Sequence, residues 1–234
     1  MKHVFRFLGA RRPDGVWTLS SDDATHAKKV VRLARGDVCE VADGAGQWCR
    51  GSVAADSLHF EIIPDQEFNE PPPSSPFILA MGALRFRVLD DVLPALVELG
   101  TDALHLFLQP GTESDRLNDK TMVRWQRIVA EATKQSKRAY LMSVVTHVSI
   151  QALIGTIPAG GTRLVLAVDA KASLAAVKLE GPIVLVAGSE QGLSDGELET
   201  LQTAGFCGTR LARPVLRATT AALAGAAVVA ARRL

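Results

Sequence analysis

Five prolines, Pro64, Pro71, Pro72, Pro73 and Pro76, crowd the segment between Ile63 and Phe77. Each removes a backbone donor and fixes φ, so neither a helix nor a central strand is expected to cross this stretch. It is predicted to be a linker between two domains, residues 1–70 and 74–234. With 234 residues, 47% of them hydrophobic, the chain can build a core on each side.

The two sides carry different patterns. Before the linker the signals are short and β-like: 38–41, a turn at Asp43-Gly44-Ala45-Gly46, then 47–53 and 58–63, which suit a small barrel. One helix over 24–33 is predicted to interrupt it, capped from Ser21-Asp22-Asp23, with Ala27, Val30, Val31 and Ala34 on one face. Its other side carries Lys28, Lys29 and Arg32, with Arg35 just beyond. These cations form either a solvated face or a phosphate-contacting patch.

After the linker, apolar strand-like runs (77–81, 103–108, 139–145, 163–168, 183–187) alternate with helical ones (90–99, 120–135, 149–154, 174–179, 195–204 and a C-terminal helix). That alternation predicts an α/β domain with a mainly parallel sheet covered on both faces.

Charge selects no partner: 26 Lys and Arg balance 25 Asp and Glu, for a net charge of +1. Any nucleic-acid surface must therefore be local. Cys39, Cys49 and Cys207 lack the spacing of a zinc site and the density of a disulfide scaffold, so they are expected to be reduced core thiols. The first residues contain no apolar signal-peptide core, and Ala221–Ala231 is too short to span a bilayer, so a cytoplasmic protein without membrane contact is expected. His3, His26, His59, His105 and His147 are scattered, which predicts surface or satisfied core histidines and no metal. No Walker-type phosphate loop, dinucleotide fingerprint or nucleophile elbow occurs, which argues against an ordinary NTPase, dehydrogenase or serine hydrolase.

Two stretches carry the chemical signal. Ile183–Ala187 runs into Gly188-Ser189-Glu190-Gln191-Gly192, and Ser194 with Glu197 then forms an S-x-x-E capping box. Ligands of open α/β sheets bind at such carboxyl ends of strands, and the two glycines give a ligand access to backbone, although a simple tight turn would look the same. Farther on, a loop with Pro214 leads through Leu216, Arg217, Ala218, Thr219 and Thr220 into a helix of small residues. Thr219 or Thr220 is its predicted N-cap. Such a helix is either buried among tight neighbours or packed at a dimer interface.

In this order and spacing the two stretches resemble the ribosomal RNA small subunit methyltransferase E family, of the SPOUT class of S-adenosylmethionine-dependent enzymes. Gly188, Glu190, Gly192, Ser194 and Glu197 match its first loop, and Leu211, Val215, Leu216, Arg217, Thr220 and Ala221 match its last. Glu98-Leu99-Gly100 and Gln135, Ser136 and Arg138 resemble two upstream elements. His26, Val30, Arg32 and Leu33 with Asp43-Gly44 resemble its N-terminal PUA-like barrel. The sequence departs from the family pattern at Ser189, Gln191, Ala212, Thr219, Pro94-Ala95 and Gln109-Pro110.

The resemblance implies a SPOUT-type sheet with a C-terminal deep trefoil knot, and a homodimer that methylates N3 of a uridine of 16S rRNA in the assembled small ribosomal subunit, without a metal. It implies that S-adenosylmethionine sits among Val168, Asp169, Gly188, Glu190, Gly192, Leu211, Ala212, Val215 and Leu216. RNA would be held through Lys28, Lys29, Arg32, Arg35 and Arg138. Arg217 would stabilise charge on the uracil, or be a loop arginine tied to a carboxylate. Glu190 would bind the cofactor, accept a proton or cap its own loop. Competing readings are an RNA-binding or ribosome-assembly protein that kept the fold without the chemistry, and a SPOUT methyltransferase with another RNA target.

Overall fold

In the computed structural model, residues 4–55, 59–83, 86–110 and 118–233 are described. They fall into two compact units: Met1–Pro72 with Ala130–Leu141, and Pro73–Val129 with Met142–Leu234. His3 and the first residue of the 58–63 run, Leu58, lie outside the described residues.

Unit 1 is built on a closed five-stranded barrel, with strand order β1 (Arg6–Arg11), β2 (Trp17–Leu19), β5 (Glu61–Asn69), β4 (Gln47–Ala55) and β3 (Val38–Ala42). β1 closes it by parallel pairing with β3. Phe7, Trp17, Leu19, Val41, Phe60 and Ile62 fill the interior. Cys39 and Cys49 are buried there as free thiols, and burial, the largest influence on each, pushes both pKa values up to about 12. Cys207, expected in a core, is instead exposed on a later strand.

Three expectations for this unit need correction. β5 passes straight through Pro64, because beyond Ile62 it is paired with β4 alone, beside a register shift at Arg50/Gly51. The missing donor there faces no partner strand, which is where a strand tolerates proline. The predicted 24–33 helix is only α1 (Ser21–His26), capped by Ser20 and not from Ser21–Asp23, followed by a π-helical turn over Ala27–Val31. The wider turn rotates Val30 out to 69% exposure and leaves Ala34 exposed, while Val31 and Leu33 pack on the barrel core. Arg32 ends it in the left-handed region at φ 58°.

Unit 2 carries a seven-stranded sheet whose pairings are all parallel: β10 (Ala172–Ser173), β12 (Cys207–Arg210), β9 (Thr162–Leu166), β11 (Ile183–Ala187), β6 (Phe77–Gly82), β7 (Ala103–Phe107) and β8 (Ser143–His147). β6 and β11 are buried along their whole length, so both read as unbroken apolar runs. α4 (Ile150–Ile154) and α5 (Asp195–Thr203) cover one face through Ile150, Leu153 and Leu201, packed on Ile78, Val165 and Val184. On the other face lies α6 (Ala218–Arg232), against β6, β11 and α2 (Phe86–Glu98).

α3 (Asp119–Gln135) belongs to unit 2 up to Val129, and its last turns count with unit 1. The helix predicted over 174–179 is a single turn, with Ala176 and Val177 donating to the Ser173 carbonyl. Gly181 and Pro182 follow too soon for so short a segment to repay helix nucleation. The strand predicted over 139–145 begins only at Ser143, because Ala139–Leu141 are bound to the barrel: Gly46 donates to Ala139, Leu141 donates to Gly44, and the Tyr140 hydroxyl donates to Glu70 O.

Candidate functional site

A cavity of about 1110 Å³ opens in unit 2 at the carboxyl ends of β9, β11 and β12. Parallel strands aim their loops at one edge, and ligands of such sheets bind there. Its walls are three loops. Ala167–Ala170 follow β9, Gly188–Leu193 follow β11, and Leu211–Ala218 lead from β12 into α6. Every residue expected around the cofactor lines it: Val168, Asp169, Gly188, Glu190, Gly192, Leu211, Ala212, Val215 and Leu216, together with Arg217. Val88, Leu198, Gln202 and Arg210 also line it and were not foreseen; of these, Arg210 ends a strand at the site edge and so carried a positional signal.

The middle loop is a closed turn. Gly192 N–H donates to Ser189 O at 3.0 Å, and Gly192 has φ +79° with nothing within 4 Å of where a Cβ would stand. A Cβ on Gly188 would lie 2.6 Å from the Gly192 carbonyl carbon, so the turn closes only with glycine there. α5 follows directly, and its capping box is complete: Ser194 Oγ accepts from Glu197 N–H while the Glu197 carboxylate accepts from Ser194 N–H at 2.8 Å.

α6 begins at Ala218, two or three residues earlier than the predicted Thr219 or Thr220 cap would allow. Arg217 is its N-cap, extended at φ −62° and ψ 150°, and gives no side-chain cap bond. The first N–H groups of α6 are therefore left to the cavity that Leu216, Arg217, Ala218 and Thr219 line. The Arg217 side chain is exposed and makes no ion pair among the described residues. Glu190 and Asp169 are exposed at the cavity rim.

The residues fit an adenosylated amino acid. Open backbone groups, the apolar Val168, Val215 and Leu216, and an uncapped helix N-terminus supply the mixed lining such a ligand needs.

The cations expected to hold RNA are in unit 1. Lys28 and Lys29 lie on the π-helical turn, Arg32 caps it and Arg35 follows; all are exposed and make no ion pair among the described residues. Arg138 stands apart from them. It is half-buried and its carbonyl accepts from Arg6 Nη1 at 3.3 Å.

His105 and His147, on neighbouring strands, meet in the core with Nε2···Nδ1 at 3.0 Å. Burial, reinforced by His147, brings the His105 pKa down to about 4, and burial also lowers that of His147. Among the described residues no three His, Cys, Asp or Glu side chains gather as a metal site. None of the described helices is long and apolar enough to cross a membrane.

The RNA methyltransferase domain family matches residues 70–230. The ribosomal RNA small subunit methyltransferase E of Synechocystis sp. is 30% identical over 215 residues, which span 87% of this chain and 69% of that protein. The Mycobacterium bovis protein of the same name is 27% identical over 220 residues, spanning 88% and 83%. The crystal structure of the Neisseria gonorrhoeae protein of that name, bound to S-adenosyl methionine, superposes with a TM-score of 0.83 over 98% of both chains; at 23% identity that likeness speaks for the fold. Family match, identity and fold agree over nearly the whole length, and the chain belongs to the ribosomal RNA small subunit methyltransferase E family.

Proposed function

We propose that this protein is an S-adenosylmethionine-dependent methyltransferase acting on N3 of a uridine in 16S rRNA, within the assembled small ribosomal subunit, and that it works in the cytoplasm as a homodimer. The observation that carries the reading is the cavity at the carboxyl ends of β9, β11 and β12, lined by every residue that the family resemblance assigned to the cofactor. Family membership supports the substrate class.

When bound, S-adenosylmethionine supplies a sulfonium-activated methyl group. The 188–193 and 167–170 loops would hold it through backbone groups, Val168, Val215 and Leu216 would offer apolar cover, and the uncapped N-terminus of α6 would suit an anionic group. The protein's further task is to hold uracil N3 in line with the methyl group. N3 would give up its proton to solvent ahead of the new N–C bond, and Arg217, exposed at the cavity mouth, would stabilise the negative charge that the uracil oxygens then share until the methyl–sulfur bond breaks.

The trefoil passage of the C-terminal segment belongs to this reading, as do the domain limits 1–70 and 74–234. In the barrel domain the unpaired Lys28, Lys29, Arg32 and Arg35 contact RNA phosphate, with Arg138 as a further contact. α6 contributes the dimer face, because its outward Leu223, Ala227 and Val228 are only half-covered.

Calorimetric titration with S-adenosylmethionine, followed by methyl transfer to small subunits lacking the modification and nucleoside analysis for 3-methyluridine, tests the reading. Arg217→Ala is expected to slow single-turnover transfer roughly a hundredfold, the scale of one lost oxyanion donor, with cofactor affinity little changed. Absence of cofactor binding by the wild-type protein would overturn the reading.

A further inference from the structure

Gln109 lies just past the end of β7, in unit 2, and its side-chain amide reaches two separate parts of the 188–192 loop. Its Oε1 accepts from Ser189 N–H at 3.3 Å, at the start of the loop, and its Nε2 donates to Gly192 O at 3.0 Å, at the end. The same Nε2 donates to the Glu197 carboxylate at 2.9 and 3.0 Å. Glu197 in turn holds Ser194 through the capping box. One planar amide thus spans the turn and ties it to the first turn of α5.

The space for this amide is reserved. A Cβ on Gly82, at the end of β6, would stand 2.1 Å from Gln109 Oε1 and 2.7 Å from Ser189 N. The three groups, Gly82, Gln109 and Glu197, come from distant parts of the chain and converge on one loop. Gln109 itself does not line the cavity; it acts through the backbone that does.

We propose that Gln109 is the positioning residue of the cofactor loop: its amide, clamped on Glu197, fixes the turn whose backbone groups face the cavity, and so sets affinity for the cofactor. The inference rests on the cofactor reading of this cavity. Both halves of the amide are needed, since Oε1 must accept at Ser189 while Nε2 donates at Gly192 and Glu197. Glutamate at this position keeps the acceptor and replaces the donor by an oxygen facing a carbonyl and a second carboxylate.

The test is calorimetric titration of the full chain with S-adenosylmethionine, with melting temperatures measured alongside. Gln109→Glu is expected to weaken binding more than tenfold at pH 8. It should recover part of the loss at pH 5.5, where the two carboxyls can share a proton. The double variant Gln109→Glu with Glu197→Gln returns a donor between the two side chains but not to the Gly192 carbonyl, and is expected to bind severalfold more tightly than Gln109→Glu while staying weaker than wild type. At saturating cofactor the transfer rate of Gln109→Glu should stay near that of wild type, the loss residing in the cofactor KM.

A general packing role would lower the melting temperature without pH dependence or rescue, and that outcome overturns the proposal. So does unchanged affinity in Gln109→Glu when the wild-type protein binds cofactor. A wild-type protein that fails to bind S-adenosylmethionine would instead remove the function on which the inference rests.

Discussion

The barrel unit and the cavity loops of the sheet unit are held by opposite means. In the barrel unit, buried side-chain charges do the holding: Lys134 Nζ, from the last turns of α3, donates to Asp23 and to Glu131, with Lys134 and Asp23 only 7% and 4% exposed. Glu40 accepts from both Arg6 and Lys137 at 2.9 Å, and Lys137 also donates to the Val4 carbonyl. Burial acts to lower the Lys134 pKa, but its bonds to Asp23 and Glu131 outweigh it and leave the pKa raised. Burial likewise acts to raise that of Glu40, and Lys137 and Arg6 outweigh it in the other direction. The cavity loops hold no such buried ion pair: the 188–192 turn is closed by its glycines and spanned by the neutral Gln109 amide, and α6 starts without a side-chain cap. Charges can lock a scaffold because nothing else must reach them, whereas a binding loop must keep its polar groups available.

The largest expected effect breaks the barrel side of this contrast. Lys134→Met leaves the Asp23 carboxylate buried without its cation, and unfolding in urea should show a loss of about 3–5 kcal/mol. Replacing both partners, Asp23→Leu with Lys134→Met, should restore most of that loss, because an apolar pair carries no desolvation penalty. A single-variant loss below about 1 kcal/mol would mean that the pair is incidental to holding the unit.

A second, smaller effect asks whether buried polar groups in the sheet unit behave in the same way. The His105 and His147 rings pack neutral beneath α4, whose residues Ile150–Ile154 bring no charge to them. The folded-state pKa of His105 lies below the unfolded value, so the unfolded chain binds more protons between about pH 6.5 and about pH 4. Stability contributed by the pair is therefore complete above that window and lost as pH falls through it. Allowing for water at this sheet edge, the loss should be about 1–2 kcal/mol. Urea midpoints measured from pH 7 to 4.5 should fall more steeply for wild type than for His105→Gln; parallel curves would remove the pair as their cause.

What the sequence disclosed follows the same division. The parallel sheet was legible because β6 and β11 are buried on both faces and carry only apolar residues, and the cavity loops because glycine and proline mark such turns in one dimension. β1 was not recognised: Arg6 reads as a surface residue, yet it is 7% exposed and satisfied by Glu40 and by carbonyls of Lys137 and Arg138, more than 130 residues away. Gln109 escaped for the same reason. A glutamine before a proline resembles any loop, and its partners at 189, 192 and 197 are brought to it only by the pairing of β6 with β7 and with β11. Local chemistry shows in sequence, whereas a side chain satisfied across the fold does not.

The smallest effect sharpens the contrast at the loop itself, by separating the helix cap from the loop clamp. Ser194→Ala removes the hydroxyl that accepts from Glu197 N–H and should cost about 1 kcal/mol of stability, as the loss of an N-cap does. The Glu197 carboxylate would still accept from Ser194 N–H, which any residue retains, and from Gln109 Nε2. Affinity for S-adenosylmethionine should therefore move by less than roughly threefold, or about 0.6 kcal/mol, even though α5 is weakened. If affinity instead fell tenfold with the melting temperature, the turn at 188–192 would depend on the helix that follows it and not on the amide that spans it, and the loop would be held like the barrel, by the element beneath it.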